Sequence, residues 1–293
     1  MANVDLFSNE ASSMGASSCV GVFDSGVGGL TVLAALREAM PTENFVYFGD
    51  TGRTPYGSKP LDMVARFAAE ISAFLMTQRV KAIVIACNTA SCAALEQLSA
   101  TLPVPVYGVI DPAIDAALVY GKRVGVVGTA ATIRSEAYQT RLIAKGAQVW
   151  SKPCPLLAPM VEEGLWDDPI AQLVVRHYLE DAPKSLHSLI LGCTHYPVLK
   201  NVMSRVVPWV HLVDSAASTA AVVAKGLADS GMANPSGQGS VRHYVTGDVA
   251  GYRHLASRFG VDTTSVTAVD VADLLQLGRQ MAALSAQQPR VSA

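Results

Sequence analysis

No stretch of the chain approaches the roughly 20 consecutive apolar residues that a bilayer-spanning helix requires, so its 50% apolar content reads as core and not as membrane. A basic excess is missing as well. Lysine and arginine number 22 against 24 acidic residues, a net charge of −2, and no basic cluster marks a nucleic-acid or lipid surface. Charged residues of either sign are scarce at 16%, which suits a compact α/β protein whose strands are buried on both faces. Cysteines are few and odd in number: Cys19, Cys87, Cys92, Cys154 and Cys193. That set argues against a disulfide framework and for a reducing compartment, so a soluble, cytoplasmic protein is expected. Met1 to Ser18 lacks the basic start and apolar centre of a secretory signal and reads as a flexible polar extension. A zinc site around His195 is not expected, because no second histidine or two-residue cysteine spacing completes it. The turn Gly26-Val-Gly28-Gly29 lacks the dinucleotide spacing and no Walker-type lysine follows, so no nucleotide cofactor is expected either.

What is present is alternation. At 293 residues the chain is long enough for two domains, and strand-like and helix-like patterns follow one another throughout. Cys19 to Phe23, Asn44 to Phe48, the run before Cys87, and Val104 to Ile110 read as strands of a first unit, with helices at Leu30 to Met40, Leu61 to Gln78 and Ala90 to Thr101. Asp111-Pro112 reads as the point where the chain leaves that unit. A second set holds strands at Arg123 to Gly128, before Cys193, and at Val210 to Val213. The three prolines of Lys152 to Pro159 predict a loop, with helices near Met160 to Glu163 and Ile170 to Asp181. From Ala216 come a helix, a Gly/Ser/Pro linker, a strand at Arg242 to Val245, a helix, a strand near Val266, and a frayed tail from Gln280.

Two stretches stand out. In Lys81-Ala-Ile-Val-Ile-Ala-Cys87-Asn88-Thr89-Ala-Ser91 an apolar strand delivers a thiol to a strand-to-helix turn, the place where open α/β sheets collect ligands. The pattern recurs in His187-Ser-Leu-Ile-Leu-Gly-Cys193-Thr194-His195-Tyr196-Pro197. A strand-end cysteine alone is more often inert packing than a reactive group, and Cys19, Cys92 and Cys154, like His177, His187, His211, His243 and His254, are read as structural. The echo between Cys87 and Cys193 suggests instead an approximate duplication, with one thiol on each side of a cleft. Inverting a tetrahedral carbon needs a base on one face and an acid on the other, and a thiol near pKa 8.5 can serve as either after modest tuning. Ser25, Asn88, Thr89, Thr194 and the turn amides are the donors that could stabilise the negative charge developing at carbon.

Five motifs together resemble the cofactor-independent glutamate racemases. They are Val22-Phe-Asp24-Ser25-Gly-Val-Gly-Gly-Leu-Thr-Val32, Gly49-Asp50-Thr51 with Pro55-Tyr56-Gly57, Ala86-Cys87-Asn88-Thr89-Ala-Ser91, Gly192-Cys193-Thr194-His195-Tyr196-Pro197, and Val245-Thr-Gly-Asp248. The resemblance spans about Cys19 to Phe259. It departs at Lys59-Pro60, where lysine then serine is common, and at Ile110-Asp111-Pro112, where glutamate before proline is usual. It implies two similar three-layer α/β domains with mainly parallel sheets and a site in the cleft between them: residues 19–111 plus 216–279 as the first, 112–215 as the second, with 1–18 and 280–293 outside. It implies Cys193 acting on the L and Cys87 on the D enantiomer of glutamate, assisted by Asp24 and His195, without metal or cofactor. Substrate binding would fall to Asp24, Ser25, Tyr56, Gly57, Asn88, Thr89, Thr129, Thr132, Thr194 and His195, with Glu162 a lesser candidate. Further implications are D-glutamate for peptidoglycan and a homodimer; in some members an amino-terminal extension is linked to activation by a cell-wall precursor, a candidate partner here. The alternatives are an aspartate racemase of the same family, or a second role in binding DNA gyrase.

Overall fold

The computed structural model describes residues 15–259, 261, 263 and 265–287. Through them run strands β1 (Val20–Asp24), β2 (Phe45–Gly49), β3 (Ala82–Ile85), β4 (Val106–Gly108), β5 (Arg123–Gly128), β6 (Gln148–Pro153), β7 (Ser188–Gly192), β8 (His211–Asp214), β9 (Val241–Val245) and β10 (Val266–Ala268). They form two sheets, β10-β9-β2-β1-β3-β4 and β6-β5-β7-β8, and every neighbouring pair is parallel.

Parallel strands need both faces covered, which explains the unbroken apolar runs of β1 and β2, buried at every residue. Successive side chains then divide between two helical layers. In the first sheet Phe23, Phe48 and Ile85 pack with Ile71 and Leu75 of helix Leu61–Thr77, while Val22, Tyr47 and Val84 pack with Leu33 of helix Leu30–Ala39 and Val223 of helix Ala216–Asp229. In the second, Leu189 and Leu191 meet Leu157 and Val175, and Val124, Val126 and Ile190 meet Ile114, Tyr138 and Leu142 on the other side.

The order β2-β1-β3-β4 in one sheet is repeated as β6-β5-β7-β8 in the other. Each sheet therefore has one point where the winding direction reverses, between β1 and β3 and between β5 and β7. Beyond the carboxyl ends of the strands at such a point lies the crevice where α/β proteins bind ligands.

Asp111 and Pro112 lie in the first turn of helix Ile110–Leu118, where proline's missing N–H has no intrahelical partner to lose. Two expectations from the sequence need correction. Lys152 to Pro159 is not a loop. Lys152 and Pro153 finish β6, an edge strand where proline is tolerated, and Pro159 sits in the first turn of helix Leu157–Glu162. The tail is not frayed from Gln280, since helix Val271–Gln287 continues past it. Leu274, Leu277, Met281 and Leu284 make an apolar stripe at helical spacing that packs on the first sheet's outer layer. The rest of the tail, 288–293, and residues 1–14 of the expected extension lie outside the described residues.

Candidate active site

Each reversal point delivers chemistry from its two central strands. β1 ends in Asp24, followed by Ser25; β3 is followed by Ala86 and Cys87; β5 is followed by Thr129; β7 is followed by Cys193. The ends converge on one cavity of about 260 Å³. Ser25, Tyr56, Gly57, Cys87, Asn88 and Thr89 line it from the first sheet's side, and Thr129, Glu162, Cys193, Thr194 and His195 from the second's. Asp24 and Thr132, both fully buried, stand behind this surface and reach the cavity only through their neighbours.

Cys87 caps the helix Asn88–Thr101, its sulfur accepting the Ala90 N–H at 3.4 Å, with the Ser25 hydroxyl 4.0 Å away. Burial pushes this thiol well up, the negative charges of Asp24 and Cys193 add to the effect, and the Ala90 amide and Ser25 only partly offset it. Together these contributions favour the neutral form of the Cys87 thiol. Asp24 accepts the amides of Gly29 and Gly26 on Oδ2 at 3.0 and 3.1 Å. Its burial raises the carboxyl's pKa despite the opposing pull of His195 and those amides.

The other thiol has different company. Cys193 Sγ lies 3.7 Å from His195 Nδ1, and His195 Nε2 lies 3.0 Å from Glu162 Oε1. At that distance Glu162 acts on the ring both as a hydrogen-bonding partner and as a negative charge. Burial works to discharge the imidazole, but Cys193 and Glu162 outweigh it and His195 is pushed up to about 10. The positively charged imidazole thus lies against the Cys193 sulfur.

The two walls are pinned together around the cavity. Thr89 from the first meets Thr129 and Thr132 from the second at 2.9 Å each, and Asn88 Nδ2 donates to the Tyr138 hydroxyl at 2.8 Å. On the opposite flank the Thr194 hydroxyl donates to Asp24 Oδ1 at 3.4 Å. Glycine makes this approach feasible. A Cβ on Gly28 would stand 2.6 Å from His195 Nδ1, and one on Gly57 would stand 2.5 Å from Thr129 Cβ. The threonine hydroxyls and the amino-terminal amides of helix Asn88–Thr101 give this end of the cavity the character of an anion cradle. Among the described residues no group of three or more His, Cys, Asp or Glu side chains is placed to hold a metal ion.

Some site features escaped the sequence reading. The Gly49-Asp50-Thr51 and Val245-Thr-Gly-Asp248 motifs work behind the cavity. Asp50 accepts from the Tyr56 hydroxyl, from Arg53 Nε at 2.8 Å and from the Thr246 hydroxyl at 2.7 Å, fixing the Tyr56 wall. Tyr138 carried no signal in the sequence at all. Glu162 gave a weak one, and only the helix through Pro159 shows that it faces His195.

The family model for Asp/Glu/Hydantoin racemase matches residues 31–223. A glutamate racemase of Thermus thermophilus is 57% identical over 255 residues, covering 87% of this chain and 97% of that protein. The crystal structure of glutamate racemase from Thermus thermophilus in complex with β-chloro-D-alanine superposes with a TM-score of 0.84 at 55% identity, covering 88% of this chain and 99% of that one. That of glutamate racemase from Francisella tularensis in complex with D-glutamate gives 0.83 at 35% identity, covering 87% and 98%. With a two-sheet α/β architecture shared at this level, the chain belongs to the Asp/Glu/Hydantoin racemase family, among relatives named glutamate racemase.

Proposed function

We propose that this chain interconverts L- and D-glutamate by proton transfer at the α carbon, with Cys87 and Cys193 as the two acid/base groups. The observation that carries the reading is the delivery of one thiol from each sheet's reversal point into a single small cavity. The choice of glutamate takes its support from the relatives' names.

One sulfur, as thiolate, removes the α proton; the thiol on the opposite face supplies a new one, so one C–H bond breaks and another forms with inversion. The two sulfurs end with exchanged protonation and reset through solvent. Cys193, beside the His195 imidazolium, is the base toward the L enantiomer, and Cys87, held as a thiol, is the acid that completes that direction. The α proton is far less acidic than any thiol, so the cradle of Asn88, Thr89 and Thr129 stabilises the charge that moves onto the α carboxylate. Ser25, Thr194 and the Tyr56-Gly57 turn hold the ammonium and the distal carboxylate. D-Glutamate made this way serves peptidoglycan synthesis.

The deciding experiment incubates L-glutamate with the protein in heavy water and follows optical rotation together with deuterium at the α carbon. Rotation should decay to zero, with deuterium entering at each inversion, while L-aspartate turns over far more slowly. Unchanged rotation, or a preference for aspartate, would overturn the proposal.

His195 gives a second test. Replacing it by Asn should lower kcat/KM by about 10²-fold, equally in both directions, and should abolish the alkaline limb near the pH of about 10 at which His195 loses its proton. The sign for stability follows. A histidine raised from 6.5 to about 10 contributes stability that is fully present below 6.5 and lost as pH rises through 10. Thermal melts of H195N should therefore fall less steeply over that window than those of the parent. An unchanged pH–rate profile would remove His195 from the mechanism.

A further inference from the structure

The proposed chemistry makes no use of Tyr138, yet this fully buried residue reaches the site. It sits on helix Ala137–Ala144, beside the second sheet, and its hydroxyl accepts the Asn88 Nδ2 hydrogen at 2.8 Å. Asn88 is next to Cys87, lines the cavity, and is 2% exposed. The other end of its amide, Oδ1, is buried with no hydrogen-bond partner. An orphaned buried amide oxygen is costly, and this one belongs to a side chain on the cavity wall.

We propose that Tyr138 is the positioning residue for Asn88, clamping one end of its amide so that the other end meets the polar groups of the substrate. A phenol hydroxyl both donates and accepts, so Tyr138 can hold either end. With Nδ2 clamped, Oδ1 is the end of the amide left without a partner, an acceptor for the substrate's ammonium. With the amide turned over, the hydroxyl donates to Oδ1 and the NH2 group faces a carboxylate in the threonine cradle. Phenylalanine fills the same space and can do neither. The clamp also crosses from one wall to the other, so it ties the amide's orientation to the spacing of the two halves.

The inference rests on the reading of the cavity as a glutamate site, and the test separates the two. Tyr138→Phe, Asn88→Ala and the double variant are compared with the parent, whose own turnover checks the functional reading first. Y138F should raise KM for glutamate about tenfold while changing kcat less than about threefold. In the N88A background the same change should have no further effect, since a group acting through Asn88 has nothing left to act on. An unchanged KM in Y138F, or an equal fold-change in both backgrounds, overturns the assignment. If Y138F does not fold, or the parent does not turn over glutamate, hydrogen exchange of the Asn88 side-chain amide in the parent decides. Protected amide hydrogens support the clamp, and exchange at the rate of exposed amides refutes it.

Discussion

Cys87→Ser and Cys193→Ser should each abolish inversion, lowering the racemisation rate by about 10³-fold or more, while leaving half of the proton chemistry intact. A serine hydroxyl fits where the thiol was but is far too weak an acid and its alkoxide too scarce to act on either face. The surviving thiol can still remove the proton from the enantiomer presented to it and return a solvent-derived one from the same side. C87S, which keeps Cys193 and its imidazolium partner His195 at 3.7 Å, should exchange the α hydrogen of L-glutamate without inverting it. C193S should exchange that of D-glutamate alone. NMR of each enantiomer in heavy water reads both results. Either variant racemising within about tenfold of the parent, or exchanging both enantiomers alike, would show that the sulfurs do not divide the two faces between them.

The second large effect is on stability and lies at the other end of the same strand. Lys81 precedes β3, and its Nζ pairs with Glu43 Oε2 at 2.6 Å, the two side chains 0% and 2% exposed. Nζ also donates to the Ala16 carbonyl, and Glu43 Oε1 accepts the Asn234 amide at 2.6 Å. One ion pair thus joins the start of β1, the turn before β2 and the linker before β9. Removing one member of a buried pair leaves an uncompensated charge and costs about 3–5 kcal/mol. Lys81→Met should accordingly lower Tm by roughly 5–10 °C with KM for glutamate unchanged, because Cys87 lies past the far end of the strand. Adding Glu43→Gln, which removes the stranded charge and can still accept from Asn234, should recover most of the loss. A K81M protein that melts with the parent would show that Glu43 finds water or another cation.

Much of this arrangement was legible in the sequence, for reasons that particular residues make plain. Strands buried on both faces, such as Val20-Gly-Val-Phe and Leu189-Ile-Leu, leave continuous apolar runs, and a cysteine closing such a run twice over marks both walls of the cavity. β6 left no such trace. It is an edge strand of mixed polarity, Gln148-Val-Trp-Ser-Lys-Pro, with no fully buried residue. Sequence also names a side chain without giving its direction. Asp24 and Thr132 belong to the right turns, and their side chains stand one layer behind the lining, hydrogen-bonded to Thr194 and to Thr89 and Thr129. Tyr138 was invisible because its role depends on a contact between helices fifty positions apart in the chain, and no local periodicity records such a meeting.

The unequal surroundings of the two sulfurs have one more consequence. Cys87 backs onto the buried Asp24 carboxyl, whereas Cys193 faces the His195 imidazole, so on the proposed mechanism the two proton transfers take place in different surroundings. The mirror-image forms of glutamate nevertheless have identical free energies in water, and thermodynamics then requires the specificity constants of the forward and reverse reactions to be the same. Whatever preference Asp24 and His195 create must appear as opposed changes in turnover and apparent affinity. A lower KM for one hand of the substrate is necessarily matched by a proportionally lower kcat in that direction.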